Sequence, residues 1–379
     1  MLSRNLLKRL LFLFNLAVVS ALLLSILSLF ISPETFWMLA FMGLLFPLLL
    51  LCNFLFVFIW LFIYPRRAII SGIVLLLCLP QIGALFQFGF QSDVANYKTE
   101  NDEVKILSFN VRLFDLYNWT DNKTTRNKII DLVRSVDADI ICFQEFFYED
   151  TGSFNTLDTL KRIQKATKVH IGHTAQVKKV NHWGIATFSK YPIVNKGKLE
   201  FRDSTDNISI YTDLKINKDT VRVYNLHLES IRFRSEDYKA LESITGKKDD
   251  TKLGGPQRII GRMRKAYIRR ARQTAIISSH IAESPYPVIV CGDFNDPPSS
   301  YSYKQISKKL KDSFRQAGSG FGTTYVGLIP FLRIDYILYS GSFYEGLKHE
   351  VIREKLSDHY PIVSVLKKKE SEQQTENKE

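Results

Sequence analysis

The sequence predicts an α/β domain carried behind an N-terminal helical segment of membrane type, and three observations predict it. Up to Phe90 the chain is apolar, with Arg4, Lys8, Arg9, Glu34, Arg66 and Arg67 as its only charges. Beyond Gln91, short β-branched runs alternate with stretches of helical spacing, and no internal repeat organises them. Several of those runs end abruptly on side chains of metal-ligand or proton-transfer type.

The apolar part contains three long runs, Leu11 to Ile31, Phe36 to Ile63 and Ala68 to Phe90. A helix needs about 20 apolar residues to cross a bilayer, so each run is long enough. The first is too long for a secretory signal, and further runs follow it. Pro47 falls inside the second and is expected to kink it, which a membrane helix tolerates. The third carries Gln81, Gln87, Pro80 and Gly83 and is the weakest of the three. Arg4, Lys8 and Arg9 precede the first run, and Arg66 and Arg67 lie between the second and third. The excess of basic residues on cytoplasmic loops then places the N-terminus in the cytoplasm. Three crossings put everything after Phe90 on the far side, the periplasmic side in a bacterium. Two crossings would invert that.

The remainder has the composition of a soluble domain, long enough for one large core or two smaller ones. Of 51 basic and 38 acidic residues, five and one fall before Gln91, which leaves the soluble part a positive surplus. Such a surplus suits a polyanion or an anionic membrane face, and equally an ordinary solvated surface. Cys52 and Cys78 lie in the apolar runs, and Cys142 and Cys291 in strand-like ones. No disulfide framework or thiolate metal site follows from them. The expected domains are a transmembrane segment over 1–90, a linker over 91–103, a catalytic domain over 104–367 and a disordered tail over 368–379.

In order, a strand is expected over Val104 to Val111, ending in Asn110 and Arg112, an i, i+2 pair that faces one way in extended chain. A helix follows over Asn122 to Val136. A buried strand over Asp139 to Phe143 ends in Gln144 and Glu145. A helix over Phe154 to Ala166 and a strand over Trp183 to Phe188 come next. Ile208 to Ile216 and Val221 to Leu228 read as a hairpin turning through Asn217 to Asp219, the second arm ending at His227. Ser230 to Gly255 reads as a polar excursion. Ile259 to Ile281 is a helix bearing Arg262, Arg264, Lys265, Arg269, Arg270 and Arg272, either a phosphate-holding face or a solvated one. Pro287 to Cys291 is a strand broken at Gly292, after which Asp293 and Asn295 present two oxygens on one side before Pro297 and Pro298 forbid continuation. A helix near Tyr301 to Leu310, a glycine-rich loop over Gly318 to Gly322, a strand over Arg333 to Tyr339 containing Asp335, and a last strand over Pro361 to Leu366 behind Asp358 and His359 complete the chain.

Asn110, Glu145, His227, Asp293 with Asn295, and Asp358 with His359 thus stand at strand ends. Carboxylates and carboxamides without thiolates suit a hard cation, Mg²⁺ or Mn²⁺. A hard cation with two histidines and amide donors suits displacement at phosphorus, where charge on the phosphoryl oxygens must be neutralised and a water aligned.

From about Lys105 to Lys367 the chain resembles the endonuclease/exonuclease/phosphatase superfamily. The resemblance lies in Ser108-Phe109-Asn110-Val111-Arg112, Gln144-Glu145, Asn225-Leu226-His227-Leu228, Gly292-Asp293-Phe294-Asn295, Arg333-Ile334-Asp335-Tyr336 and Ser357-Asp358-His359. It implies a four-layer α/β sandwich with the site at one rim of two packed mixed sheets. It also implies Glu145 as main metal ligand, with Asn110 completing the shell or holding a phosphate oxygen. Asp293 would orient and deprotonate the attacking water, and Asn295 would donate to a phosphoryl oxygen. His359 would contact the scissile phosphate with its tautomer fixed by Asp335. Asp358 is implied as a second metal ligand or a water-orienting carboxylate. His227 matches a second histidine of the deoxyribonuclease and sphingomyelinase branches. Arg112 is a phosphate clamp or a surface ion pair.

The expected function is a membrane-anchored, metal-dependent hydrolase of phosphoester bonds, a phosphodiesterase or nuclease. The alternatives are a lipid-headgroup phosphodiesterase or phosphatase, and an inactive binding module. A phosphoester, in nucleic acid or a lipid headgroup, is the expected partner, and no protein partner is expected.

Overall fold

The computed structural model describes residues 4–89, 93–164, 168–201, 207–232, 255–327 and 331–370. Most of the excursion expected after Ser230 and most of the expected tail lie outside the described residues. The chain divides into two compact units. One comprises Met1–Ile82, Glu229–Ala275 and Asp296–Gln305, the other Gly83–Leu228, Ile276–Asn295 and Ile306–Glu379.

The first unit is helical. It contains α1 (Arg4–Leu27), α2 (Pro33–Phe36), α3 (Met38–Leu44), α4 (Phe46–Ile63), α5 (Pro65–Leu77) and most of α6 (Leu79–Leu85). Two helices, Asn5–Leu27 and Phe46–Ile63, are long and apolar enough to cross a membrane, each with mean hydropathy 2.6. The expected second run is therefore broken: α3 ends at Leu44, and Pro47 sits in the first turn of α4 instead of kinking a longer helix, because that turn needs no donor from it. The expected third run is two helices bent by 60° at a break, and counts as a third span only if the pair is taken as one. Asn15 donates to Ser71 at 2.8 Å, Trp60 donates to Asn15 at 2.9 Å and Asn53 donates to the Ser71 carbonyl at 3.0 Å. Buried amide and hydroxyl groups joining apolar helices in this way find in each other the partners that lipid cannot offer.

The second unit is built on two six-stranded mixed sheets. Their strands, with a small additional pair, are β1 (Phe86–Gln87), β2 (Glu103–Asn110), β3 (Ile140–Glu149), β4 (Lys168–Val177), β5 (Asn181–Ser189), β6 (Ile193–Leu199), β7 (Ser209–Ile216), β8 (Asp219–His227), β9 (Val288–Asp293), β10 (Lys311–Asp312), β11 (Gly320–Phe321), β12 (Asp335–Tyr339), β13 (Tyr344–Val351) and β14 (Ile362–Lys368). The first sheet has the order β13-β14-β2-β3-β5-β4, the second β10-β12-β9-β8-β7-β6, and β1 pairs with β11. β2–β3 and β8–β9 are parallel, and the other pairs are antiparallel.

Val104, Ile106, Ile140 and Cys142 of the first sheet pack against Val221, Val223, Ile289, Cys291 and Ile337 of the second, which makes the core between them. The outer face of the first sheet is covered by α7 (Thr125–Val136) through Ile129, Val133 and Val136, and by α8 (Thr156–Ile163) through Leu160. On the second sheet, Tyr224 shares a hydrogen bond of 2.8 Å with His280, near the C-terminal end of α9 (Gly255–Ala282). The two sheets are thus flanked by helices, as expected. Both parallel pairs run toward one rim, and β2, β3, β8 and β9 deliver Asn110, Glu145, His227 and Asp293 there.

Candidate active site

The rim is assembled by register. His227 and Asp335 are both strand-pair partners of Asp293, so the central strand carries a neighbour on each side. β9 stops there because Gly292 has φ +139°, and a Cβ at that position would lie 2.0 Å from the Leu226 carbonyl oxygen. Only glycine permits both that conformation and that approach. On the first sheet a bulge in β3 between Phe143 and Phe146, with Glu145 at φ 49°, turns the Glu145 side chain to the rim.

Asp293 is 1% exposed. It accepts hydrogen bonds from the Asn295 backbone N–H at 2.8 Å and from Asn110 Nδ2 at 3.1 Å. Asn110 Nδ2 also reaches Glu145 Oε1 at 3.4 Å, and Asn110 Oδ1 accepts from the Arg112 backbone N–H at 3.1 Å. His227 Nε2 lies 3.8 Å from both Glu145 Oε1 and Asp293 Oδ2. His359 Nε2 lies 3.7 Å from Asp293 Oδ2, and its Nδ1 is 2.9 Å from Asp335 Oδ2. Asp335 is itself fixed by its backbone N–H, which donates to Thr324 Oγ1 at 3.1 Å. Arg112 Nε is 3.4 Å from Asp358 Oδ2. Asn295 Nδ2 donates to the Leu228 carbonyl at 3.0 Å and lies 3.3 Å from Asp293 Oδ2. All nine residues singled out from the sequence therefore meet in one continuous cluster.

Its electrostatics follow from burial. Burial raises the Asp293 carboxyl to about 6, with the Asp335 charge adding to the rise and His359 opposing it. Burial and then the Asp358 charge raise the Glu145 carboxyl, although its side chain keeps 35% of its surface open. Burial opposes protonation of His359, yet Asp335 and then Asp293 more than offset it and hold the imidazole well above its ordinary value.

Asp293, Asp335 and His359 bring ligand atoms within 4.8 Å of one another. Both Asp335 oxygens, however, are engaged with His359 Nδ1, at 2.9 and 3.2 Å, and His359 faces Asp293 across 3.7 Å, so this trio is a relay in which a hydrogen bond on one side continues as an ion-pair contact on the other. Glu145 and Asp358 offer hard carboxylate oxygens of the type a divalent cation takes, while Asn110 turns its Nδ2 to Glu145 and its Oδ1 to the Arg112 backbone N–H. The Glu145 carboxyl, raised by burial and by the Asp358 charge, is one that a nearby cation would relieve.

Two residues quoted from the motifs without a role prove structural. Gln144 Nε2 donates to Asn225 Oδ1 at 2.8 Å, and Asn225 Nδ2 donates to the Phe143 and Ala186 carbonyls at 3.2 and 3.1 Å, so this buried pair pins sheet to sheet beneath the rim. Ser357, whose hydroxyl donates to the Asn110 carbonyl at 2.8 Å, and Thr324 hold site residues in place. Ser357 stands in the Ser357-Asp358-His359 motif with no expected role, and Thr324 carries no pattern that distinguishes it in sequence.

The basic helix is open only in part: Arg264, Lys265 and Arg272 are exposed, Arg262 and Arg269 half-buried and Arg270 buried. Within the first unit, Arg270 pairs with Asp296 at 3.4 Å, Arg269 with Glu229 at 3.0 Å and Arg272 with Glu34 at 2.7 Å, while Arg264 lies over the Trp37 ring at 5.6 Å.

The model of the Endonuclease/Exonuclease/phosphatase family matches residues 107–359. A second family model, for a domain of unknown function, matches residues 8–85. Among solved structures, an endonuclease/exonuclease/phosphatase family protein of Bacteroides thetaiotaomicron is 19% identical over 71% of this chain and 98% of its own, with TM-score 0.51. An endonuclease/exonuclease/phosphatase of Beutenbergia cavernae is 16% identical over 71% and 72%, with TM-score 0.50. A functionally unknown conserved protein of Enterococcus faecalis is 18% identical over 70% and 100%, with TM-score 0.50. At these identities the likeness is one of fold. No curated protein matches the chain.

Proposed function

The chain belongs to the endonuclease/exonuclease/phosphatase family, and from that premise we propose that it is a membrane-anchored, metal-dependent hydrolase acting on phosphodiesters. Family and fold support phosphoester hydrolysis as the reaction. The observation that carries the reading is the relay from Asp335 through His359 to Asp293, with Asn110 and Glu145 alongside, at a rim where both sheets end.

In this reading Asp293 orients and deprotonates the attacking water. A carboxyl raised to about 6 is a base matched to neutral pH. His359, kept protonated by Asp335, donates from Nε2 to a phosphoryl oxygen and stabilises charge that grows in the transition state. His227 does so from the neighbouring strand. The Asn295 N–H shared with Asp293 at 3.3 Å turns to the same phosphoryl group. Arg112, held by Asp358, clamps a non-bridging oxygen. Mg²⁺ or Mn²⁺ held by Glu145, with Asn110 and Asp358, would supply neutralisation of the phosphoryl charge.

We take residues 1–90 as the membrane segment, 91–103 as linker, 104–367 as the catalytic domain and 368–379 as a tail. For the side of the membrane, contacts inside the first unit support an extracytoplasmic domain. Ser28 and Gly43, near either end of the turn joining the first two apolar helices, contact Ser299, and Phe41 packs on Tyr267 with ring centroids 5.4 Å apart. Tyr267 and Ser299 lie within the residues that the family model matches, and the turn is separated by one apolar helix from Arg4, Lys8 and Arg9, which supports this reading.

The test uses the full chain in detergent beside an Asp293→Ala variant, with Mg²⁺ or with EDTA. The substrates are bis-p-nitrophenyl phosphate, p-nitrophenyl phosphate, plasmid DNA and phospholipid vesicles. Metal-dependent diester turnover that disappears in the variant is the expected result, and turnover that survives it sinks the reading. The apolar helices favour a second reading, a lipid-headgroup hydrolase, which would show as vesicle hydrolysis exceeding turnover of the other substrates.

A further inference from the structure

Beside the candidate site stands a turn that begins at Arg112 and whose aromatic tip the proposed chemistry does not use. Residues Arg112, Leu113, Phe114 and Asp115 have φ of 43°, 55°, 56° and 60°, a left-handed turn without a single glycine. A conformation this costly persists only where its surroundings over-determine it. Phe114 is buried against Phe143 and Phe146 at centroid distances of 6.0 and 5.4 Å. The Asp115 carboxylate accepts from the Thr120 backbone N–H at 3.2 Å and from the Thr120 hydroxyl. The loop is thereby stapled at both ends, and it presents Tyr117 and Trp119 with 61% and 44% of their surface open. The two rings meet edge to face at 5.0 Å. The Arg112 guanidinium, the same one that pairs with Asp358, lies over Trp119 at 4.5 Å.

Resting on the hydrolase reading, we propose that Tyr117 and Trp119 form a stacking subsite for a nucleobase, so that the diester the site takes carries a nucleoside next to the scissile phosphate. Rigid rings displayed on a stapled loop lose little entropy on binding, and every base offers a π-face to them. The fixed cation between rings and site suits the phosphate of the same nucleotide. A choline headgroup is disfavoured, because the Arg112 guanidinium already places a positive charge at these rings, which repels a second cation but not a neutral base. Membrane insertion is disfavoured too: polar Asn118, Thr120, Asp121 and Asn122 flank the rings in sequence, and the neighbouring Leu113 and Leu116 are half-buried.

The experiment compares kcat/KM on thymidine 5′-monophosphate p-nitrophenyl ester and on methyl p-nitrophenyl phosphate, which lacks a base. It uses the full chain in detergent with Mg²⁺, and the Trp119→Ala, Trp119→Phe and Tyr117→Ala variants. The ratio of the two values should fall roughly 5- to 150-fold in the alanine variants, the range spanned by base–aromatic stacking, and recover in Trp119→Phe. Calorimetric binding of thymidine monophosphate against inorganic phosphate supplies a second readout, in which the preference for the nucleotide should shrink with Trp119→Ala. An unchanged ratio, with both substrates losing equally, overturns the subsite and leaves the hydrolase standing. Selective loss of vesicle hydrolysis in the alanine variants also overturns it, as a lipid contact. Absence of turnover on every substrate, with nucleotide preference intact and Trp119-dependent, overturns the hydrolase and leaves the subsite.

Discussion

Asp293→Asn should make the protein more stable while abolishing its activity, and the size of the gain can be worked from the site. Asp293 is almost completely buried beside Asp335, and its carboxyl is raised from 3.8 to about 6. A group whose folded value lies above its unfolded value contributes stability that is fully present below about 4 and lost as pH rises through about 6. Two units correspond to about 3 kcal/mol, so above pH 6 the ionised carboxylate costs the folded state on that order. The carboxamide cannot ionise and escapes the cost. Two effects take part of the gain back. Its NH₂ would face the Asn110 NH₂ that now donates at 3.1 Å, and the His359 imidazolium loses a carboxylate 3.7 Å away. A net gain of about 1–2 kcal/mol remains, or roughly 2–8 °C in Tm for a domain of this size. Thermal unfolding of the full chain in detergent with EDTA, at pH 4 and pH 7.5, reads it directly. The variant's advantage should appear at pH 7.5 and vanish at pH 4, while turnover falls roughly 10²- to 10⁴-fold. An advantage equal at both pH values, or none at either, refutes the argument that burial raises this carboxyl.

Asp335→Asn removes the carboxylate 2.9 Å from His359 Nδ1, a charge-assisted bond of about 1.5–3 kcal/mol. kcat/KM at pH 7.5 should fall roughly 10- to 150-fold, and the alkaline limb of the pH–rate profile should move to lower pH, because His359 then loses its proton sooner; a limb that stays in place assigns it to another group. Gly292→Ala would force a Cβ to 2.0 Å from the Leu226 oxygen at φ +139°, in the parallel β8–β9 pair that sets His227 beside Asp293. A loss of at least about 3 kcal/mol in unfolding free energy is expected, and a variant within about 1 kcal/mol of its parent would contradict the strand geometry.

The strands that the residue pattern revealed are the central ones. β2, β3, β8 and β9 are buried along nearly their whole length, so they read as mainly apolar runs; the ends of β2, β8 and β9 mark the site, whereas Glu145, expected at a strand end, sits at a bulge inside β3, which runs on to Glu149. The strands that escaped it, β4, β6 and β13, are sheet edges. They carry Lys168, Lys196, Lys198 and Lys348, charges that blunt an edge against further pairing and erase the alternation by which a strand is recognised. The site shows the same division. Asp293 with Asn295 was visible because two residues apart in extended chain face one way. Asp335 and His359 stand 24 residues apart, and their pairing followed only from the resemblance. The left-handed turn at Arg112 was invisible, since its residues carry no glycine signal and tertiary packing of Phe114 imposes it.

The arginine-rich helix shows why charge counting pointed past the site. Its periodicity places Arg269, Arg270, Arg272 and Gln273 within one turn, and composition cannot tell whether such a turn faces solvent. In the first unit it faces Glu229, Asp296 and Glu34, and Arg270 and Asp296 are both buried. A buried pair of this kind demands its partner, since either charge left alone there would be costly. Glu229 follows the His227-Leu228 segment and Asp296 follows Asn295, so the helix spends its positive charge on the chain segments just beyond two site strands. Arg264 and Lys265 stay exposed on that helix, whereas Arg112 lies in the site cluster itself and is tied to an aromatic pair. Substrate choice in this chain is accordingly better sought in the loop from Arg112 to Asn122 than in its net charge.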